Sequence, residues 1–236
     1  MKPKRLLLIV YLLFLASQLE AQTIREIEFT VYGQYPVRGV EYNPVSEEAV
    51  SEGIKAAEPI TIKTHSQSRM GPHKFTGVNE MIFRESDSEQ IVGKVRFSEA
   101  SNQWLFIFVK NPKHKEDPDG YYKYLIYAFD DSEANLPNDG LVFINISGKE
   151  LDGLLENKRV TLSAGESGSF RVQESLPVNL WTREFDGEKL LPALVKTYQF
   201  QKNHRYLIIF FPPVLRGSVD LDTRFLVEST NQEEAP

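Results

Sequence analysis

Two stretches decide the fold of this chain: residues 91–112, IVGKVRFSEASNQWLFIFVKNP, and residues 194–213, LVKTYQFQKNHRYLIIFFPP. In each, a phenylalanine (Phe97 or Phe200) precedes a polar turn, and an aromatic residue (Trp104 or Tyr206) begins an apolar run that ends in proline. The matching residues are 103 and 102 positions apart, which is the size of one β-sandwich domain. The sequence therefore predicts two tandem, related β-sandwiches of the immunoglobulin-like type. The alternative is that two hairpins ending in proline resemble each other by chance.

Upstream of each stretch lies a weaker echo, MIFRE at residues 81–85 against LWTRE at residues 180–184, with an offset of 99. Other segments also indicate strands. Residues 24–32 alternate apolar and polar side chains, and residues 121–129 and 141–146 are rich in aromatic and β-branched residues. Residues 159–163 and 169–172 flank a glycine-containing connection suited to a hairpin. Residues 45–57 alone have helical character, so we expect an all-β protein.

The predicted organisation has five parts. Residues 1–21 form a signal peptide, residues 22–112 the first sandwich, residues 113–120 a linker, residues 121–227 the second sandwich, and residues 228–236 a disordered tail. The linker prediction rests on KNPKHKEDPDG at residues 110–120, which is charged and contains two prolines and a glycine. The tail prediction rests on its polar, acidic composition.

The two apolar runs do not alternate, since WLFIFV at residues 104–109 and YLIIFF at residues 206–211 are apolar at every position. Such strands are expected to be covered on both faces. One face belongs to each sandwich core. The other face either packs against the sister sandwich or binds another protein, and we favour the first because a bare aromatic face would aggregate.

Export is indicated by the first twenty-one residues. Lys2, Lys4 and Arg5 precede an apolar run of about eleven residues, which is shorter than the ~20 of a membrane-spanning helix. An uncleaved anchor is the alternative. We expect a periplasmic or secreted protein with no stable membrane span in its mature form. The chain has no cysteine, so it has no disulfides, and its net charge of −6 disfavours nucleic acid as a partner.

No catalytic, cofactor-binding or metal-binding residues are predicted. His65, His73, His114 and His204 lack metal-ligand spacing, and neither a GxSxG nor an SxxK motif occurs. The acidic clusters at residues 116–120 and 130–133 are read as solvated turns, with calcium as the alternative. Asn145-Ile146-Ser147 fits a glycosylation acceptor but lies in a predicted strand, so the match is attributed to chance.

The candidate ligand or partner surface consists of Trp181, Tyr121 and Tyr122. Exposed aromatic rings can stack on sugars or anchor a protein partner. Trp104 is excluded from this set because it lies in the doubly apolar run and is expected in the core.

A resemblance to known sequences supports the same fold. FTG at residues 75–77 before MIF at 81–83, AFDDSEA at 128–134 leading into LVFINISG at 141–148, and the closing RYLIIF at 205–210 together resemble a family of uncharacterised exported bacterial proteins. The resemblance covers roughly residues 70–215. It implies a signal peptide and an all-β fold, and it implies no activity.

Three functions are expected in order of preference. The first is a non-enzymatic interaction or accessory module of the cell envelope, whose partner is another envelope protein. The second is a carbohydrate- or glycoconjugate-binding protein, with calcium as a helper. The third is an exported hydrolase, which would need a pocket where carboxylates or histidines converge.

Overall fold

The computed structural model describes residues 23–137, 139–171, 174–183, 189–215 and 221–229. The predicted signal peptide and residues 230–236 of the predicted tail lie outside this range. Sixteen strands make up nearly all of the regular structure in the described residues, so the all-β prediction is confirmed. A five-residue helix, α1 (Glu47–Ser51), and a 3-10 helix (Pro112–Lys115) are the helical elements described.

The strands fall into two groups of eight. The first repeat contains β1 (Arg25–Gly33), β2 (Val40–Tyr42), β3 (Ile60–Ile62), β4 (Met70–Gly77), β5 (Glu80–Glu85), β6 (Ile91–Arg96), β7 (Gln103–Lys110) and β8 (Tyr124–Asp130). The second repeat contains β9 (Gly140–Asn145), β10 (Leu151–Leu155), β11 (Lys158–Leu162), β12 (Ser167–Arg171), β13 (Ser175–Arg183), β14 (Leu190–Gln199), β15 (His204–Phe211) and β16 (Asp222–Ser229).

The strand order of the second repeat is that of the first with eight added to each number. Sheet A has the order β4-β1-β7-β8 and sheet B the order β3-β2-β5-β6; sheet C has β12-β9-β15-β16 and sheet D has β11-β10-β13-β14. Even the parallel pairing of β1 with β7 recurs as β9 with β15. This order confirms two related sandwiches in tandem. It does not confirm the immunoglobulin-like type, whose seven strands form a four-stranded and a three-stranded sheet.

The strand pairing moves the expected boundary between the two sandwiches. Tyr124–Asp130, which the sequence placed in the second sandwich, pairs with β7 as the edge strand of sheet A. The predicted linker at residues 113–120 is therefore the β7–β8 connection, and residues 131–139 join the repeats. The prediction was misplaced because a charged, proline-containing composition indicates only that a segment is exposed. A long connection within a sandwich has the same composition as a linker between two sandwiches.

Three apolar cores separate four layers in the order B, A, C, D. The first core lies between sheets A and B and includes Phe29, Phe83 and Phe106. The third lies between sheets C and D and includes Phe143 and Phe210. The central core joins sheets A and C.

The central core confirms that the doubly apolar strands are covered on both faces. On β7, Leu105, Ile107 and Val109 enter the central core, and on β15 it is Leu207, Ile209 and Phe211 that do so. The alternate apolar residues enter the outer cores: Trp104, Phe106 and Phe108 of β7, and Tyr206, Ile208 and Phe210 of β15. The second face is therefore an intramolecular contact between equivalent strands, and the alternative of a partner-binding face on β7 and β15 is wrong.

A polar cluster accompanies the central core. Arg69 Nη1 donates to Asp131 Oδ1 at 2.7 Å, and Arg69 Nε donates to Glu228 Oε1 at 2.6 Å. Arg205 Nε donates to the other oxygen of Glu228, also at 2.6 Å. Arg69 belongs to the first repeat, while Arg205 and Glu228 belong to the second. Glu228 was predicted to start a disordered tail, but it lies in β16, where it pairs with Arg205 and its carboxylate joins two partly buried guanidinium groups.

Candidate functional site

The register of the sheets shows which residues of the two repeats are equivalent. Phe29 lies opposite Trp104 on β7, and Leu141 lies opposite Tyr206 on β15. Trp104 packs on Phe97 with ring centroids 5.7 Å apart, and Tyr206 packs on Phe200 at 4.6 Å. These pairs are the ones that the sequence matched.

The weaker echo upstream was matched two residues out of place. Both repeats carry a β-bulge, after Phe83 in β5 and after Leu180 in β13, so Phe83 and Leu180 are equivalent at an offset of 97 rather than 99. Side chains in a strand alternate between faces with a period of two, so an alignment error of two residues still matches inward residues with inward ones. The sequence pattern therefore does not reveal it.

One equivalent position differs sharply between the repeats. In the first repeat, Tyr42 lies opposite Phe83 and Ile60, and in the second, Gly153 lies opposite Leu180 and Val160. A full aromatic side chain in one sandwich therefore corresponds to a hydrogen atom in the other.

Tyr42 seals the side of the first sandwich where strands β3 and β4 form the edges of their sheets. Its ring contacts Phe29 at 5.2 Å and His73 at 6.1 Å between centroids. Its hydroxyl donates to the carbonyl oxygen of Lys74 on β4 at 3.1 Å, so one side chain bridges sheets B and A. Burial, partly offset by the Lys74 hydrogen bond, raises the pKa of Tyr42 to about 12.

The second sandwich is open on the corresponding side. A cavity of about 200 Å³, which we call the edge cavity, lies between β11 and β12, with Glu166, Ser167 and Gly168 at its rim. Its apolar lining consists of Phe143, Leu155, Val160, Leu162, Phe170 and Leu180. A Cβ atom on Gly153 would overlap the carbonyl oxygen of Asn179, so a larger residue cannot enter here without moving the backbone. Val160 and Leu180, which lie opposite Gly153 on the two neighbouring strands, both line the edge cavity.

The strands beside the edge cavity do not pair with each other. The sequence predicted a hairpin over residues 159–172, but β11 is the edge of sheet D and β12 is the edge of sheet C. This prediction was wrong because a short glycine-containing connection serves equally well to carry the chain from one sheet to the other. The separation of the two edges gives the edge cavity its opening.

The equivalent edge strands β4 and β12 also differ in how their exposed backbone is protected from pairing with another strand. His73 on β4 and Phe170 on β12 are equivalent, since they lie opposite Phe29 and Leu141. Pro72 precedes His73, whereas Ser169 precedes Phe170. Proline cannot donate a backbone hydrogen bond and commonly blocks exposed sheet edges. Among the described residues, β12 has neither proline at its edge nor a further strand beside it.

The charged side chains on β11 and β12 are all cationic: Lys158, Arg159 and Arg171, each exposed. The carboxylate at the rim, Glu166, accepts a hydrogen bond from the backbone N–H of Ser163 at 3.0 Å. The two edge strands themselves therefore carry only positive side-chain charges, in a protein whose net charge is −6.

Each repeat also has a polar groove, and the two grooves lie beside the equivalent residues Phe97 and Phe200. One of about 600 Å³ lies beside Asn79, Arg96 and Phe97, and one of about 580 Å³ lies beside Glu174 and Phe200. In the first, Arg96 Nε donates to Glu80 at 2.7 Å, so these two lining charges form an ion pair.

The predicted aromatic surface is divided between the repeats. Tyr121 and Tyr122 lie in the β7–β8 connection and are 44% and 42% exposed. Lys113 Nζ lies 5.5 Å from the Tyr121 ring centroid, over one of its faces. Trp181 lies half-buried on β13, opposite Asp152 and Pro192. The structure thus brings the two tyrosines together and places Trp181 in the other sandwich.

The histidines lie on separate elements, and no group of three His, Asp or Glu side chains in the described part of the chain is arranged to hold a metal ion. His65 and His204 are bonded to their own turns. His73 lies against Phe29 and Tyr42, and burial lowers its pKa.

The acidic clusters form turns. Asp117 Oδ1 accepts the backbone N–H of Gly120 at 2.9 Å. Asp130 accepts hydrogen bonds from Ser132 N and Asn135 Nδ2 at 2.9 and 2.7 Å. Partial burial raises the pKa of Asp130, but these bonds outweigh it and hold the pKa below its usual value.

Asn145 has a structural position that its sequence motif did not reveal. It is fully buried, and its Nδ2 donates to the carbonyl oxygens of Leu162 at 2.8 Å and Lys149 at 2.7 Å. Its Oδ1 accepts from the Ser147 hydroxyl at 2.7 Å. An amide engaged in this way is not accessible as a glycosylation acceptor.

The sequence did not reveal the edge cavity. The one signal was Gly153 inside the strand LDGLL, because an isolated glycine in a strand often marks a close approach of another backbone. No protein-family model matches the chain, and no curated protein matches its sequence. The resemblance to exported all-β proteins therefore stays a prediction. No helix in the described ranges is long and apolar enough to cross a membrane.

Proposed function

We propose that this protein is an exported, non-enzymatic binding module of the cell envelope that engages another protein through the open side of its second sandwich. The observation that supports this proposal is the difference between Tyr42 and Gly153 at equivalent positions. One copy of the repeat is sealed by an aromatic side chain, and the other keeps an apolar cavity at its edge.

The chemistry of the edge cavity favours binding over catalysis. Its lining is apolar apart from a few rim residues, and its one carboxylate, Glu166, is engaged by a backbone N–H. An apolar cavity stabilises a complex by removing an apolar group of the partner from water, at about 25 cal/mol per Å² buried.

Export is proposed from the sequence. The charged start and short apolar run of residues 1–21 follow the layout of a signal peptide, and a chain with no cysteine needs no oxidative folding. A periplasmic or secreted location would give the open edge access to other envelope proteins.

The test compares two matched variants in the native envelope. Val160 lines the edge cavity, and Ile60 is its equivalent on β3. Tagged full-length protein carrying Val160→Phe or Ile60→Phe is cross-linked in cells, captured and analysed by quantitative mass spectrometry beside wild type.

We expect one dominant, stoichiometric protein that Val160→Phe loses and Ile60→Phe retains, because the added ring fills the edge cavity. Thermal unfolding of both variants verifies that each is folded. A partner captured equally by both variants, or no partner above background, would contradict the proposal.

Glycan binding is a second candidate, favoured by the exposure of Tyr121 and Tyr122 on adjacent positions. One face of Tyr121 lies against Lys113, which leaves the other face for a sugar ring. Screening the mature protein on an oligosaccharide array tests this candidate. A glycan signal that the double variant Tyr121→Ala/Tyr122→Ala abolishes would support it, and an array without signal would contradict it.

A further inference from the structure

The equivalent edge strands β4 and β12 share a short pattern with one informative difference. Residues 71–74 read Gly-Pro-His-Lys, and residues 168–171 read Gly-Ser-Phe-Arg. The first has a proline beside a half-buried histidine at a sealed edge. The second has a serine beside a phenylalanine that lines the edge cavity.

We propose, on the basis of the proposed function, that the partner is an extended segment of another protein that pairs with β12 and inserts one apolar side chain into the edge cavity. Carboxylate side chains next to the inserted residue lie on the side of sheet C that carries Arg171, and Lys158 and Arg159 add positive charge on β11.

Strand pairing follows from the state of β12. A sheet edge presents unpaired backbone N–H and C=O groups, which an extended peptide can satisfy. Small side chains line the start of β12 at Ser167, Gly168 and Ser169, so nothing bulky shields its backbone. In the first repeat, Pro72 removes one donor from the corresponding strand.

The size of the edge cavity limits what enters. Sites for drug-sized ligands usually measure ~300–1,000 Å³, and the edge cavity measures about 200 Å³. This volume suits a single large apolar side chain. In an extended segment every second residue faces the same way, so the neighbours of the inserted residue stay outside the edge cavity.

The charges select the flanking residues. The charged side chains of β11 and β12 are three cations, and the cavity-lining carboxylate, Glu166, accepts a hydrogen bond within its own turn. Acidic residues in the partner would raise the association rate and favour the correct alignment, and the gain would decline with salt.

The experiment selects ligands with the full mature protein as target. A phage-displayed library of random ten-residue peptides is panned against wild type, and selected peptides are titrated by fluorescence anisotropy. We expect enrichment of one Phe, Leu or Met flanked by Asp or Glu. We expect the Kd to rise about tenfold or more in Val160→Phe and in Ser169→Pro.

Matched controls lie in the first repeat. Ile60→Phe and Lys74→Glu should leave the Kd unchanged, whereas Arg171→Glu, at the position equivalent to Lys74, should weaken binding at low salt. Because Ser169→Pro can disturb folding, amide hydrogen exchange of the wild type is measured as well. Bound peptide should slow exchange in residues 167–171.

The outcomes separate this inference from the proposed function. If Val160→Phe loses the native partner but the selected peptides are basic, or bind without slowing exchange in β12, strand pairing is contradicted while the proposed function stands. Strand pairing would also be contradicted if a hydrophobic small molecule bound the edge cavity and no peptide did. If Val160→Phe captures the native partner as well as wild type does, both proposals fail.

Discussion

The first and second repeats have the same eight-strand order, yet one is closed at its β3–β4 side and the other is open at the corresponding side. The difference lies in Tyr42, which bridges two sheets, against Gly153, which admits no side chain. The two repeats share their strand order and differ at one inward position, next to which the second repeat has an apolar cavity.

The connection between the first two strands is also held by different hydrogen bonds in the two repeats. In the first repeat the Thr64 hydroxyl, just after β3, donates to Tyr35 O and accepts from Val37 N across the β1–β2 connection. In the second, Asn145 at the end of β9 makes the corresponding tie. A Cβ on Gly33, the equivalent of Asn145, would overlap the Thr64 hydroxyl, so the two solutions exclude each other.

The largest effect is expected from a charge in an outer core. Phe108 and its equivalent Phe210 are fully buried in the first and third cores. Phe108→Asp and Phe210→Asp should each cost about 4 kcal/mol or more, because a carboxylate loses its hydration there. Urea unfolding followed by circular dichroism measures the loss. Near-normal stability in one variant would mean that its core is not packed as described.

The two ties between strands should differ in strength. Asn145→Ala removes an amide that serves several buried groups, so we expect a loss of about 3 kcal/mol. Thr64→Ala removes one hydroxyl and should cost about 1–2 kcal/mol. Chemical denaturation of both variants checks the ratio. Equal losses would contradict the unequal hydrogen bonding.

Arg69→Ala tests the polar contact between repeats. It leaves Asp131 without its 2.7 Å partner and leaves Glu228 with Arg205 alone, and we expect a loss of about 2 kcal/mol. Lys74→Ala, which breaks an exposed pair with Glu26, should cost under about 1 kcal/mol. Calorimetry compares the two variants. An unchanged melting temperature for Arg69→Ala would show that the cluster does not hold the repeats together.

The smallest effect is a pH dependence from His73. Burial lowers its pKa in the folded state, so the unfolded chain binds the proton more readily. Its contribution to stability is therefore full above about pH 6.5 and is lost as the pH falls below that value. His73→Phe places a phenylalanine at position 73, as at the equivalent position 170. This variant should show a flatter dependence of the free energy of unfolding on pH between pH 5 and 7. An unchanged curve would contradict the assignment to His73.

Much of the fold could be predicted from local pattern. Alternation in β1 and the repeated aromatic pair Phe97–Trp104 and Phe200–Tyr206 indicated strands and duplication, since both follow from side-chain period and spacing. The non-alternating run of β7 indicated two covered faces, because burial on both sides leaves its mark on consecutive residues.

The boundary and the candidate site could not be predicted in this way. Which strand Tyr124–Asp130 joins depends on pairing across space, and composition does not carry that information. The edge cavity depends on what stands opposite Gly153 and on β11 and β12 joining different sheets. Tyr121 and Tyr122 were predicted as exposed aromatics and are exposed, but Trp181 lies apart from them.

The second sandwich is open where the first is sealed by Tyr42, and crystals pressurised with xenon test this difference most directly. Xenon enters apolar cavities, so anomalous density should appear between β11 and β12 of wild type and not between β3 and β4. Tyr42→Ala should add a second xenon site in the first repeat. Density in neither repeat of wild type, or equal density in both, would contradict the account.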